Sequence, residues 1–272
     1  MKTSACWIDP ADVPGGIHIP DAEVELEVQA GETAARKQWA KFAKSGLDDY
    51  ADERDRPDLD STSRMSAHLK FGAIHPRTMA ADLGRGEGAQ AYLRELAFRD
   101  FYAAVLYEWP ESAWWNWNRD FDKIEVDDHC HAKHMFEAWK AGRTGFPIVD
   151  AGMRQLAATG FMHNRVRMIV ASFLVKDLHL PWQWGAQWFL DQLVDGDMAS
   201  NQHGWQWAAG CGTDAAPYFR VFNPTTQGEK FDPDGAYVRR WVPEVDDDDY
   251  PEPIVDHAAE RKEVLRRYRE IS

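Results

Sequence analysis

Cysteine is scarce in this sequence. The 272 residues hold three, Cys6, Cys130 and Cys211, far apart and in no CxxC pair. That spacing argues against a disulfide framework and for a reducing, cytoplasmic setting. No apolar run approaches the roughly 20 residues of a membrane span. The N-terminal MKTSACWIDPADVPGG has no apolar stretch of the kind a secretory signal needs. Alternating β-branched runs are missing, and so is any internal repeat. Cations are also short: 31 Lys and Arg against 45 Asp and Glu give a net charge of -14. As an average this opposes nucleic acid, whose phosphates are met by Lys and Arg. An average says nothing about one groove, however, and a solvated acidic surface accounts for the excess.

Tryptophan is the opposite case, with 13 residues. It is large and amphipathic, and it serves cores, interfaces and stacking surfaces. With 44% apolar and 28% charged residues the chain reads as globular, and its length can bury a sizeable core. Residues 1–30 are rich in Pro and Gly and read as an extension or linker. Residues 31–272 read as one all-α domain. Helical patterning is expected over about 31–43, 87–108, 131–141, 148–159, 162–178, 182–194, 197–208 and 255–270. Residues 47–79 are polar and proline-broken before a new helix. The DDDD run at 246–249 reads as a solvated connector. Arg261, Lys262, Arg266, Arg267 and Arg269 suit the C-terminal dipole of the last helix.

Several stretches carry chemistry-bearing residues. In AYLRELAFRDFY (91–102), helical spacing puts Tyr92, Glu95, Arg99 and Tyr102 on one face, with Phe98 beside them. An i,i+4 Glu95–Arg99 ion pair among core aromatics explains that face structurally. Stacking of a flat ligand, with Glu95 as its hydrogen-bond partner, explains it functionally. In TGFMHNRVRM, Asn164, Arg167 and Met168 share a face and Arg165 lies off it. Such groups are costly to bury without partners, whether a distant acid or a polar ligand. In DSTSRMS (60–66), hydroxyls precede a helix, where they cap it or hold an anion such as a diphosphate. GRGEG (84–88) follows no strand and reads as a turn. DDHCHAKH (127–134) resembles half a metal site, but no second half with ligand spacing exists, so surface histidines are expected and no metal. DGDMASNQHGWQWAAGCGTDAAPYF (195–219) sets Trp205 and Trp207 beside Asp195, Asp197 and Asn201.

Together these stretches resemble the C-terminal, FAD-binding helical domain of the DNA photolyase/cryptochrome family. The matching motifs are STSRMSAHLKFG, RELAFRDFY, TGFPIVDAGMRQLAATGFMHNRVRMIVASFLVKDL and DGDMASNQHGWQWAAGCGTDAAPYFRVFNPTTQGEKFDPDGAYVRRWVPE. FMHNRVRM and NQHGWQW are most similar to bacterial cyclobutane-dimer photolyases. The resemblance implies a U-shaped FAD, active when reduced, under a positive groove for UV-damaged DNA. It implies that Tyr50, Thr62, Ser63, Arg64, Met65 and Ser66 hold the diphosphate side, with Tyr92 and Arg99 near the cofactor. Asp195, Gly196 and Asp197 would meet the flavin and sugar, Arg167 would pair with Asp195, and Asn201 would face flavin N5. The DNA side would comprise Arg54, Glu95, Phe98, Asn164, Arg165, Met168, Trp207, Arg220 and Gln227. Trp207 would stack the flipped dimer, whose extrusion costs less than that of a sound pair. Glu95 would stabilise the dimer's radical anion after electron transfer from excited reduced FAD. Trp205 and Trp182 would relay electrons to the flavin.

Three departures qualify the match. Only some thirty residues precede it, where the family carries an α/β antenna domain, so no antenna pigment is assigned. Phe98 stands where the family's dimer photolyases often have Trp. The outer position of the tryptophan relay falls at His129, with Trp139, Trp117 or Trp115 as substitutes. The implied activity is deoxyribodipyrimidine photo-lyase, by a monomer or by the FAD-binding half of a split enzyme whose partner carries the antenna fold. A blue-light sensor without repair is the alternative. A dipolar surface and a salt-sensitive DNA affinity are expected.

Overall fold

The computed structural model describes residues 28–215, 217 and 220–271. Most of the expected extension 1–30, with Cys6, lies outside them. Among the described residues every regular element is helical, in keeping with the missing alternation. The order is α1 (Glu32–Ser45), α2 (Tyr50–Glu53), α3 (Ser66–Lys70), α4 (Pro76–Asp82), α5 (Glu87–Glu108), α6 (Cys130–Lys140), α7 (Pro147–Thr159), α8 (Asn164–Lys176), α9 (Trp182–Gln192), α10 (Met198–Ala209), α11 (Pro224–Phe231), α12 (Ala236–Trp241) and α13 (His257–Glu270). Two short 3₁₀ turns, Pro110–Ala113 and Arg119–Lys123, follow α5. The long helices occupy the spans their patterns predict. The helix expected after DSTSRMS is α3, whereas the sequence pattern misses α2, α4, α11 and α12, which are four to eight residues long. So short a helix completes too few turns for a 3.6 period to register.

The buried side chains form two cores. The larger joins α6 to α10 with α12 through Trp139, Leu156, Phe173, Trp205 and Tyr237. The smaller joins α1 to α4 with the first half of α5 through Trp39, Phe42, Met65, Met79 and Leu96. Here Trp39, Phe42, Tyr50 and Tyr92 pack ring on ring, with centroids of neighbouring rings 5.1–6.1 Å apart. Helix α5 bridges the cores: further along it, Tyr102 stacks on His203 of α10 with centroids 5.3 Å apart and planes 3° from parallel. Gly160 ends α7 in the left-handed conformation, φ 65°, which a β-carbon would strain. Its carbonyl accepts from Val194 N–H at 2.9 Å, tying the 160–163 turn to the segment before Asp195.

Of the C-terminal cations, Arg267 and Arg269 stand in the last turn of α13, where they suit its dipole, and two of the five also make ion pairs. Arg266 pairs with Glu263, Glu270 and Glu125, and Arg267 with Glu263 and Asp127. Hydrogen bonds from Arg266 and Arg267 pull the Glu263 carboxyl down to about 2. Arg266 and Arg267 thus form an ion-pair network that staples α13 to residues 125–127.

Candidate functional site

A cavity of about 300 Å³ opens where the two cores meet. Helix α2 and its C-terminal end contribute Tyr50 and Arg54, and residues 62–66 contribute Thr62, Ser63, Arg64, Met65 and Ser66. Helix α5 presents Tyr92, Glu95, Leu96 and Arg99, spaced i, i+3, i+4 and i+7, so one stripe of the helix forms a wall. From the other core come Asn164 and Arg167 of α8, then Asp195 and Asp197 ahead of α10. Every predicted cofactor residue except Gly196 and Asn201 lines the cavity, as do Arg54, Glu95 and Asn164 of the predicted DNA side. Phe98, Arg165, Met168, Trp207, Arg220 and Gln227 do not line it, nor do Trp182 and Trp205.

The cavity carries its own electrostatics. Arg54, Arg64, Lys70, Arg99 and Arg167 face Glu95, Asp195 and Asp197, five cations against three carboxylates in a chain whose total is -14. Arg167 Nη2 donates to both oxygens of Asp195 at 2.9 and 3.0 Å, and its Nε donates to Met162 O at 2.8 Å. Asp197 also caps α10, accepting Ser200 N–H at 2.9 Å. Glu95 does not pair with Arg99: it meets Arg54 at 2.7 Å, while Arg99 reaches Leu69 O and Asp100. The structural explanation for that face therefore fails as framed. Burial pushes the Tyr50 phenol up to about 12 and raises Tyr92 as well, so both stay neutral. Arg64 sits at φ 53°, a left-handed conformation sparsely populated by long side chains and typical of ligand sites. Its guanidinium lies over Phe161, 4.5 Å from the ring centroid.

Capping does not explain the 62–66 hydroxyls. Helix α3 has no side-chain cap, and Ser63 Oγ instead meets Tyr92 Oη at 2.8 Å. Arg165 turns to Asp55 at 2.6 Å and covers Phe231. Asn201 donates its amide to Ala186 O at 2.9 Å and to Gln202 Oε1 at 2.8 Å. Trp205 is buried behind it against Phe189 and Trp139, with centroids 5.0 and 6.1 Å away. Trp182 donates to Asn116 Oδ1 at 2.8 Å. Trp139 is wholly buried and so cannot end a relay at the surface, whereas Trp115 is 55% exposed. His129 caps α6 through Nδ1. Sequence reasoning missed Leu69, Lys70, Leu96, Phe161, Met162, His163 and Ser200 as lining residues. Ser200 was findable, since it stands three residues after Asp197, the N-cap spacing.

His163 sets a pH dependence. It is 5% exposed, and its Nδ1 accepts Arg165 N–H at 3.2 Å, so the neutral ring carries its proton on Nε2. Burial pushes it down to about 4. Between pH 6.5 and 4 the unfolded chain therefore binds a proton that the folded chain does not, and stability falls as pH falls through this window. The expected loss is about 3 kcal/mol by pH 4. Urea titrations at pH 7 and 4.5 check it: His163→Asn, which keeps a capping acceptor, should flatten the slope, and an unchanged slope would rule the residue out.

Fold and cavity define an all-helical cofactor-binding domain, and comparison with known proteins identifies the cofactor. The family model for the FAD binding domain of DNA photolyase matches residues 92–270. A deoxyribodipyrimidine photo-lyase of Salmonella typhimurium is 44% identical over 87% of this chain and 55% of its own length. That of Halobacterium salinarum is 43% identical over 98% of this chain and 62% of its own. A bacterial class III photolyase from Agrobacterium tumefaciens superposes with a TM-score of 0.86 at 41% identity, covering 90% of this chain and 57% of that one. A Synechocystis cryptochrome gives 0.82 at 30%, covering 91% and 58%. The chain belongs to the DNA photolyase/cryptochrome family and carries its FAD-binding domain. It spans little more than half the length of the relatives it matches.

The cavity's donor set fits FAD. Thr62 and Ser66 hydroxyls and the Arg64 and Arg99 guanidiniums suit a diphosphate. Asp195 and Asp197 carry acceptor oxygens that would suit ring N–H and sugar hydroxyl groups, and the Tyr50 and Tyr92 rings give an apolar wall.

Proposed function

We propose that this domain binds UV-damaged DNA and splits cyclobutane pyrimidine dimers under blue light. One observation carries the reading: Glu95, Arg54 and Asn164, three of the six polar residues expected on the DNA side, stand in the same cavity as the residues that fit FAD. Reduced FAD supplies an electron on excitation when bound there. The protein's part is binding, position and charge. Glu95, held by Arg54 at 2.7 Å, presents a carboxyl to the lesion. Trp207, half-buried with its ring 6.4 Å from Phe222, provides a stacking face for a flipped base, and Phe98, 46% exposed, the facing wall. Exposed Arg220 and half-buried Gln227 contact the phosphates beyond. Asn201 and Trp205 act on the flavin side. Trp115 is the proposed outer end of the relay in place of His129, because it shares a cavity wall with Trp182.

The net excess of cations at the cavity answers the acidic average. Affinity for dimer-bearing DNA is expected to fall steeply with added salt. Trp207→Ala should weaken that affinity about 5- to 160-fold, the range for loss of one base–aromatic stack, and leave FAD content unchanged. The deciding experiment mixes the FAD-reconstituted, reduced chain with an oligonucleotide bearing one thymine dimer, under blue light and in the dark. Dimer loss in the light alone supports the proposal. Persistence of the dimer despite bound, reduced FAD would overturn it and favour a sensor.

A further inference from the structure

A second cavity, of about 310 Å³, lies away from the FAD site between α13, the junction of α8 and α9, and residues 115–126. Trp115, Phe121, Trp182 and Tyr268 supply aromatic faces, and Val126 stands in the lining at 41% exposure. Phe121 and Tyr268 meet edge to face, with centroids 5.7 Å apart. The polar groups are mostly occupied. Asn116 Oδ1 accepts from Trp182 Nε1 and from the Cys211 thiol, and Tyr268 Oη donates to Ala209 O. Burial pushes the Cys211 thiol up to about 12, so it is no nucleophile. The cavity therefore offers binding rather than covalent chemistry.

Two polar groups of the lining are left over: His179 Nδ1, buried without a hydrogen-bond partner among the described residues, and one donor of Arg267. Arg267, 8% exposed, spends Nε on Glu263 and Nη1 on Glu125 O and Asp127. Its Nη2 makes no hydrogen bond to the described residues. Ligand sites of this size join apolar walls to a few placed polar groups. Flat rings gain most from aromatic walls. A guanidinium donor selects a carbonyl or carboxylate oxygen.

We infer that this cavity binds a small planar aromatic molecule bearing ring carbonyls, with the ring among Phe121, Trp115 and Trp182 and a carbonyl on Arg267 Nη2. The inference stands apart from the repair proposal, since it needs only a folded, FAD-loaded chain. The probe is lumiflavin, planar, with two ring carbonyls and no phosphate. Equilibrium dialysis against the FAD-loaded chain should retain one lumiflavin per chain without releasing FAD. Val126→Trp, a rim change that fills the cavity, should weaken retention at least tenfold, and Phe121→Ala should weaken it severalfold. Both variants should keep their FAD. No retention would overturn the inference. So would retention untouched by both variants, or retention matched by released FAD, which would mean that the probe had entered the flavin site.

Discussion

Arg167→Met is expected to destabilise the protein by about 3–5 kcal/mol and to empty it of FAD. The size follows from asymmetry. The Asp195 side chain is 2% exposed, whereas Arg167 keeps 24%. Removing the guanidinium strands a buried carboxylate, which costs far more than an exposed pair is worth. Met162 O also loses its donor, on the turn that supplies Phe161, Met162 and His163 to the cavity wall. The clamp thus ties the two approaches to the site, residues 161–163 and 195–197. Arg167→Lys should recover only part of the loss, because an ammonium on a flexible stem cannot reproduce the planar fork. Urea midpoints and the flavin absorbance retained after gel filtration read both effects. A variant within 1 kcal/mol of the parent, with FAD still bound, would show that the clamp holds neither fold nor cofactor.

The sequence made the long helices legible and the short ones not, for a physical reason. Helix α5 repeats its pattern over 22 residues, whereas α4 has seven and α11 eight, and α3 is signalled only by the hydroxyls ahead of it. What holds α3 in place is tertiary: Met65 at its N-cap sits in the smaller core and Leu69 packs against it. Site residues on one helix, such as Tyr92, Glu95 and Arg99, could be grouped by spacing. Their partners could not. Glu95 pairs with Arg54 across 41 positions of chain, and nothing in RELAFRDFY favours that over the local Arg99. The resemblance supplied the long-range grouping around the cavity. The second cavity went unread, because its walls come from four separate segments, around residues 115–126, 175–183, 209–211 and 264–268.

Gly185→Ala sets two rules against each other. Helix propensity favours alanine by up to about 1 kcal/mol at a helix interior. Packing opposes it. A β-carbon at Gly185 would lie 2.1, 2.6 and 2.7 Å from Trp205 Cη2, Cζ3 and Cζ2, closer than real atoms approach. The indole has nowhere to go: it is 2% exposed and boxed by Phe189 and Trp139. Helix α9 must therefore draw back from α10, and it carries Ala186, whose carbonyl holds the Asn201 amide. Overpacking of a tight core costs about 1–3 kcal/mol and sometimes more. With three ring atoms in conflict, packing should win, for a net loss of about 2 kcal/mol and a fall in Tm of roughly 4–8 °C at this chain length. Gly204, also on α10, gives the control, since a β-carbon there meets nothing within 4 Å. Gly204→Ala should stabilise by about 0.5–1 kcal/mol. If Gly185→Ala gained as much, Trp205 would be free to shift, and the fixed seat beside Asn201 that the flavin-side role requires would not exist.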